Sequence, residues 1–511
     1  MHRFTLLFLL MTLLATVSEA QEQRHVCGNT YADQMSQMKR YLNNMRIAKT
    51  RPSRSRNAVT YIPIQFNIIT KNDGSGGVQI TDLMEQMCLL NEQFGEFDVR
   101  FFFAEDPRYI ANEVIYENHT VTSAQFTMRQ RRNREALNVW MVNDASSSSG
   151  PPIGITLGYY DIVNDWVVIR RNQISGKNNT LAHEVGHFFS LMHPHLGWDA
   201  DPYSTTKHGS PVSARAPSGG STELMDGSNC ETAGDMLCDT RPDYNFALTW
   251  NNRNSCDYSA DVKDPNGDQV DPDETLIMSY FSDNCTNRFT QSQVDLMLVD
   301  IATPGRSFLT RNDYSPSSDE ITDSPNLVSP INRAVTSSFN KVKLDWDRVA
   351  GATNYLVEVD RSSSFNIDNF KYIVSSSSIV LEDVLEADRN YRWRVTPYNP
   401  SNTCAPPSET ARFKTGLSTS VPTIETVDEW TIQPNPTAAS QTVTVKVTAR
   451  EAFNANLQLF STTGQLVKQL PQQFNGGTTI LDLETSDLPQ GIYLVSLRNE
   501  KGVLNQKLVV H

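Results

Sequence analysis

The chain has 511 residues and a formal charge of −14. That length exceeds what one hydrophobic core can organise and implies two to four domains. The acidic balance argues against nucleic acid or an anionic membrane surface as the main partner.

Residues 1–20 read as a signal peptide. His2 and Arg3 form a short basic start, Phe4 to Val17 an apolar run, and Ser18-Glu19-Ala20 a small-residue cleavage site. The run, about 14 residues, is too short to span a bilayer of roughly 30 Å, so a soluble, exported protein is expected. Residues 21–57 are polar and helix-prone and end in the basic cluster Arg51, Arg54 and Arg56.

Alternation then sets in. Tyr61 to Ile69 reads as a strand, Ile80 to Phe94 as an amphipathic helix and Val99 to Ala104 as a second strand; Leu137 to Val142 and Trp166 to Ile169 read as further strands, and Thr180 to Met192 as a helix. Strands mixed with helices predict an α+β (α/β) domain over residues 58–312. Ser315 to Asn326 suits a linker. Short strands alone follow at 327–416, and after a second linker, Gly416 to Glu429, another all-β stretch fills 430–511. Two β-sandwich domains are expected there.

Seven cysteines in an exported chain permit disulfides and leave at least one thiol over. Cys230, Cys238, Cys256 and Cys285 allow three connectivities, of which Cys230 with Cys256 and Cys238 with Cys285 is favoured. Cys88 lies among Met84, Met87, Leu89 and Leu90 and reads as a buried small hydrophobe.

The chemistry concentrates in Thr180-Leu181-Ala182-His183-Glu184-Val185-Gly186-His187-Phe188-Phe189-Ser190-Leu191-Met192-His193. On a helix His183 and His187 share one face and can reach one ion at the roughly 2.0–2.1 Å that zinc needs. Glu184 is rotated off that face, where it can meet water and act as base. A nitrogen six residues after His187 needs a turn, and His193 has that spacing. Three neutral histidines leave one coordination position open. His195 is the second choice as ligand.

This segment resembles the metzincin zinc motif, and the chain resembles the pappalysin or cytophagalysin branch of that family. Ile277-Met278-Ser279-Tyr280 resembles the Met-turn, and Cys230 to Thr240 resembles the branch's G-D-x-x-x-D-T segment. The resemblance implies a zinc endopeptidase with Glu184 as general base, Met278 as an apolar floor beneath the metal, and Tyr280 near the tetrahedral intermediate. It also implies calcium at Asp235 and Thr240, while Asp264, Asn266, Asp268, Asp271 and Asp273 read as a solvated turn. The motif's glycine is Ser190 here, which puts a Cβ where positive φ is expected.

Arg24-His25-Val26-Cys27-Gly28 resembles the cysteine switch of pro-pappalysins, so Cys27 could fill the open zinc position in a latent form; pairing of Cys27 with Cys88 or Cys404 is the alternative. Asp283, five residues after Met278, falls in the stretch that in metzincins lines the pocket for the residue after the scissile bond. A negative charge there implies a preference for Arg or Lys. Trp346, Tyr355, Tyr391 and Trp393 are spaced as in a fibronectin type III sandwich, with Leu385 and Tyr391 resembling its tyrosine corner. Gln433-Pro434-Asn435-Pro436, Gly464, Gly491-Ile492-Tyr493 and Lys507 to Val510 resemble the sorting domain of the type IX secretion system, implying that bacterial machinery as a partner beside protein or peptide substrates. An adhesin or carbohydrate-binding protein with an inert zincin-like domain would fit the two β domains, and a metal-dependent hydrolase of non-peptide substrates is the third reading. The complete set His183, Glu184, His187 and His193 favours the peptidase.

Overall fold

The computed structural model describes residues 25–50, 59–146, 155–252, 255–311, 320–368, 370–417, 424–439 and 441–511. The expected signal peptide, the Arg51 to Arg56 cluster and much of both expected linkers lie outside them. An N-terminal mixed α/β region is followed by several all-β sheets.

In the first region, Ile62, Ile64, Phe66 and Ile68 alternate along β2 (Thr60–Thr70) and face one layer of core, while Ile69 joins another on the opposite side. A strand covered on both faces belongs in the interior of a sheet. The sheet has the order β1 (His25–Cys27), β6 (Ile155–Asp161), β7 (Trp166–Arg170), β5 (Leu137–Val142), β2 and β3 (Val99–Phe103), with β4 (Arg108–Ala111) also on β2. Its ladders are parallel except the antiparallel β6–β7 pair. Sequence reading missed β1, β4 and β6. β1 is too short to show a period, and β6 (ITLGYYD) is broken by Gly158.

One face of the sheet carries α1 (Tyr31–Thr50), α2 (Ile80–Gly95) and α5 (Thr180–Phe188), which bury Tyr41, Leu83, Leu90, Phe94, Leu181 and Val185 against it. The other carries α3 (Glu113–Glu117) and α4 (Thr122–Arg131), packed on Trp140, Trp166 and Val168. The predicted helix 180–192 stops at Phe188 because Ser190 turns left-handed, at φ +73°. Between α5 and α7 (Gln291–Ile301) the described chain is mostly turns, with the short helix α6 (Thr205–His208) and a 3-10 turn at Phe246–Leu248. A stacked and edge-on cluster of Trp198, Tyr203, Tyr244, Phe246 and Tyr258 gives this stretch its own core.

Two disulfides staple that stretch, and they correct the expected pairing: Cys230 joins Cys238 and Cys256 joins Cys285. The turns through Asn229 to Met236 fold the chain back on itself and bring the Cα atoms of Cys230 and Cys238 to 5.0 Å, within disulfide reach. Cys88 is corrected too. It is bonded to Cys404 on the face of α2 turned towards the next module.

There, strands Leu327–Ser329, Lys341–Trp346 and Ser378–Glu382 form one sheet, and Ala334–Val335, Asn354–Asp360, Phe370–Val374, Asn390–Tyr398 and Ala411–Lys414 the other. Trp346, Tyr355, Tyr391 and Trp393 fill the space between them. The Tyr391 hydroxyl accepts from the Glu386 N–H at 3.0 Å, the upstream backbone bond of a tyrosine corner. The last module packs a three-stranded on a four-stranded sheet around Val443, Val445, Leu457, Leu459, Val495 and Leu497.

Candidate metal centre

Helix α5 presents His183 and His187 one turn apart and ends in a Schellman motif: Leu191 N–H donates to Gly186 O and Ser190 N–H to His187 O, both at 2.9 Å. Ser190 occupies the left-handed position usually given to glycine, at an intrinsic cost of roughly 1–2 kcal/mol. Its hydroxyl accepts from Asn44 Nδ2 of α1 at 3.0 Å, a contact a glycine could not make. The reversal brings His193 back beneath the helix.

Three imidazoles meet there. His193 Nε2 lies 3.2 Å from His183 Nε2 and 2.9 Å from His187 Nε2. Each Nδ1 faces an acceptor: Ile277 O at 2.7 Å from His183, Leu191 O at 2.9 Å from His187, and Asp199 Oδ1 at 2.7 Å from His193. A carbonyl or carboxylate can only accept, so each Nδ1 carries the hydrogen and each Nε2 a bare lone pair. Three lone pairs at this spacing repel unless a cation lies among them, so the donor set fits a metal ion. Burial holds all three imidazoles neutral: it lowers His183 to about 4 and His187 and His193 well below the usual imidazole value.

Cys27 Sγ completes the group, and the four donor atoms all lie within 4.8 Å of one another. It is the free cysteine among the described residues, so the alternative of a bond to Cys88 or Cys404 is overturned. Its thiol donates to Glu184 Oε2 at 3.5 Å, while Glu184 Oε1 is buried with no partner. Burial pushes the Glu184 carboxyl up to about 8 and raises the thiol well above its usual value, with the Glu184 charge adding to the latter. Cys27 arrives on β1, which pairs parallel to β6 and occupies its outer edge.

The segment Ile277 to Tyr280 lies beneath. A Cβ at Gly186 would collide with the Met278 sulfur, so this glycine lets the methionine sit under the helix. Tyr280 is half-buried in this floor with its hydroxyl 3.3 Å from His193 Nε2, and desolvation raises its pKa well above the usual phenol value. His195 is not among the converging donors. It stacks on His193 with ring centres 4.6 Å apart, its nitrogens 3.9 Å from Asp199 and 3.8 Å from Asp243.

A cleft of about 440 Å³ opens from the cluster, lined by Cys27, His183, Glu184, Asn179, Tyr280 and Asp283. Asp283 is exposed, and its Oδ1 accepts from the Asn179 N–H at 2.9 Å. Asp235 and Thr240 lie outside this cleft. The Thr240 hydroxyl donates to Asp235 Oδ1 at 2.7 Å, while Asp235 Oδ2 and the nearby Glu223 Oε2 are buried with no partner. Burial raises Asp235 to about 7 and, with Asp235 and Asp243 adding to it, Glu223 to about 10. Sequence reading did not find Asp199, Gln34 or Glu223. Asp199 alone left a local signal, as a carboxylate six residues after His193.

Residues 431–511 match the family model of the secretion system C-terminal sorting domain. Two curated relatives, both named extracellular metalloprotease and both from Colletotrichum graminicola, are 28% and 23% identical over 206 and 252 residues. The matches cover 37% and 46% of this chain and 72% and 74% of the relatives. The solution structure of the fn3 domain of human collagen alpha-1(XX) chain matches at 25% identity and a TM-score of 0.15, over 21% of this chain and 97% of that one. Among the described residues no helix is long and apolar enough to cross a membrane. The chain is thus an exported protein, distantly similar to extracellular metalloproteases, with a buried histidine cluster suited to a metal ion.

Proposed function

We propose that the chain is a zinc endopeptidase of the metzincin type, made as a latent precursor. In this reading residues 21–57 form the prosegment, 58–312 the catalytic domain, 327–416 a fibronectin type III-like module and 430–511 the type IX sorting domain. The observation that carries it is the convergence of three bare Nε2 lone pairs beside an unpartnered Glu184 oxygen, at the mouth of an open cleft.

His183, His187 and His193 would hold the ion, oriented by Ile277, Leu191 and Asp199. A bound zinc ion supplies Lewis acidity, lowering the pKa of water and polarising a carbonyl. Glu184 takes a proton from the attacking water and returns it to the leaving amine; a carboxyl whose pKa burial has raised holds that proton well. The Tyr280 hydroxyl stands where it can donate to the oxyanion that forms beside His193. Cys27, aligned by β1 along β6, blocks both the metal and the strand edge until the prosegment is cut. Asp283 gives the cleft a negative charge suited to an Arg or Lys side chain after the scissile bond. Asp235 and Thr240, with Glu223, would hold calcium, since unpartnered buried carboxylates suit a hard cation.

The test is incubation of the processed protein with a mixed peptide library, with and without a zinc chelator, followed by mass spectrometry of the cut sites. Chelator-sensitive cleavage before basic residues is expected, with the basic preference lost in Asp283→Ala. Cleavage that persists in chelator, or none at all in zinc-loaded protein, rejects the reading.

A further inference from the structure

The wall of the cleft hangs from a helix, α2, that contributes no residue to the lining itself. Gln86 and Gln93 lie two turns apart on the buried side of α2. Gln86 receives the Ser175 N–H at 3.0 Å and donates to Asn178 O at 3.1 Å, pinning the loop that leads into α5. Gln93 Nε2 donates to Asn179 Oδ1 at 2.6 Å. The Asn179 amide then reaches across to the opposite wall: its Nδ2 is shared among Thr286 O at 2.5 Å, Thr286 Oγ1 at 2.9 Å and Asp283 O at 3.2 Å, and its backbone N–H holds Asp283 Oδ1.

Asn179 is also the N-cap of α5, yet its side chain makes no capping bond. An asparagine there normally turns its oxygen to the first free N–H groups of the helix. Here that oxygen accepts from Gln93 instead, and the amide is committed to the 283–286 segment. Gln93 and Asn179 are both at least nine-tenths buried, so the relay is shielded from competing water.

We propose that Gln93 and Asn179 are positioning residues that fix the Asp283–Thr286 wall and so set which side chain the cleft accepts after the scissile bond. This rests on reading the cleft as a peptidase subsite. Gln93 lies outside the cleft lining, and Asn179, which lines it, commits its amide to the Asp283–Thr286 wall, so the control passes through that wall and not through a direct bond to substrate. Loss of the relay leaves the metal ligands untouched but lets the wall move.

The experiment compares the processed, metal-loaded wild type with Gln93→Met, which keeps length but removes the donor, and with Asn179→Asp. Asp is a good N-cap, so Asn179→Asp preserves the start of α5 while setting an acceptor against three oxygens. Peptides differing only in the residue after the cut give the profile. In Gln93→Met the kcat/KM ratio between the best residue and alanine is expected to fall at least fivefold, through KM. Its kcat on the alanine peptide and its metal content are expected to stay within twofold. Asn179→Asp is expected to flatten the profile further. An unchanged profile, or an equal fall on every peptide, overturns the proposal. The wild-type profile alone judges the peptidase reading and the basic preference. Hydrogen–deuterium exchange judges the relay without any substrate: segment 282–287 is expected to exchange at least tenfold faster in both variants, with 180–188 unchanged, and equal exchange in 282–287 also overturns it.

Discussion

Glu184 carries a carboxyl with one oxygen bonded to a thiol and the other to nothing, in a fully buried setting. An unpartnered buried polar atom costs roughly 1–3 kcal/mol, a cost that makes sense where the group must act. If it is the base, Glu184→Ala should retain one equivalent of metal by elemental analysis while losing at least about 10²-fold in peptidase rate. Near-normal turnover of the metal-loaded variant would remove the role.

Glu223 and Asp235 pose the same problem away from the cleft, and there pH provides the probe. Both carboxyls are raised in the folded, ion-free chain, to about 10 and about 7. A raised folded pKa means the folded state prefers the proton. The stabilisation is therefore complete below the unfolded carboxyl values and is lost as pH rises through the folded ones. Chelated protein should lose stability from about pH 4, where the unfolded carboxyls ionise, up to about pH 7 for Asp235 and on towards pH 10 for Glu223, since neither carboxylate has a counter-charge. Calcium would supply that charge, so the gap in Tm between calcium-loaded and chelated samples should widen over the same interval. A gap constant with pH would argue against an ion at these carboxylates. At this scale the sequence revealed the histidines but not their holders. His183, His187 and His193 are local in spacing, whereas Gln34 and the Ile277 carbonyl reach the site from far along the chain.

Elements show the same division. α2 and β2 were legible because their apolar residues repeat with the period of the element and face a core. α1 offered only polarity, and its buried side includes Gln34 and Asn44, which donate to Asp199 and Asp300 where an ordinary helix would use apolar contact. Arg40 holds Asp300 Oδ1 and Phe188 O, and Tyr41 donates to Asp235 O. Helix α1 thus braces the end of α5, the Ser190 turn and the carboxylate that holds His193. Hydrogen-bonded packing of this kind leaves no period in a sequence. The cysteine pairing was equally hidden, since it follows from irregular turns. Latency gives the test at this scale: full-length Cys27→Ser should bind metal and cleave a short peptide before any cut in 51–58, where the wild type is silent. Its rate should stay below that of the mature protein, because Gly28 N–H still donates to Gly158 O at 2.7 Å and keeps β1 on the edge of β6. A variant precursor as silent as the wild type, with metal bound, would leave the thiol no switching role.

For the whole molecule, the question is whether the first β module is tethered or built in. The sandwich was anticipated from its aromatic spacing, but its attachment was not, because Cys88 looked like core and Cys404 lies 316 residues away. The contact is continuous around that bond. Met84 packs with Leu356 and Tyr398, Thr403 donates to Met84 O at 3.0 Å, and Phe103 N–H on β3 donates to Pro400 O at 2.9 Å. Asn91 of the same helix receives the Phe101 N–H at 2.6 Å. The module therefore covers the outer edge of the sheet, where unpaired strand groups invite aggregation, and it braces α2 on the side opposite Gln86 and Gln93. A long-range disulfide contributes about 2–4 kcal/mol, which for a unit of this size corresponds to a shift of roughly 5 °C or more in Tm. Cys88→Ser with Cys404→Ser should accordingly lower and broaden the calorimetric transition of the catalytic region. Deleting 424–511 should leave that transition in place, since the last module forms its own closed core. Deleting 320–511 should do more harm than the cysteine pair, because it also removes the Leu356, Tyr398 and Pro400 contacts. If the double serine variant and the 320–511 deletion both melt like the wild type, the module is a tethered passenger, and the brace on α2 has no energetic weight.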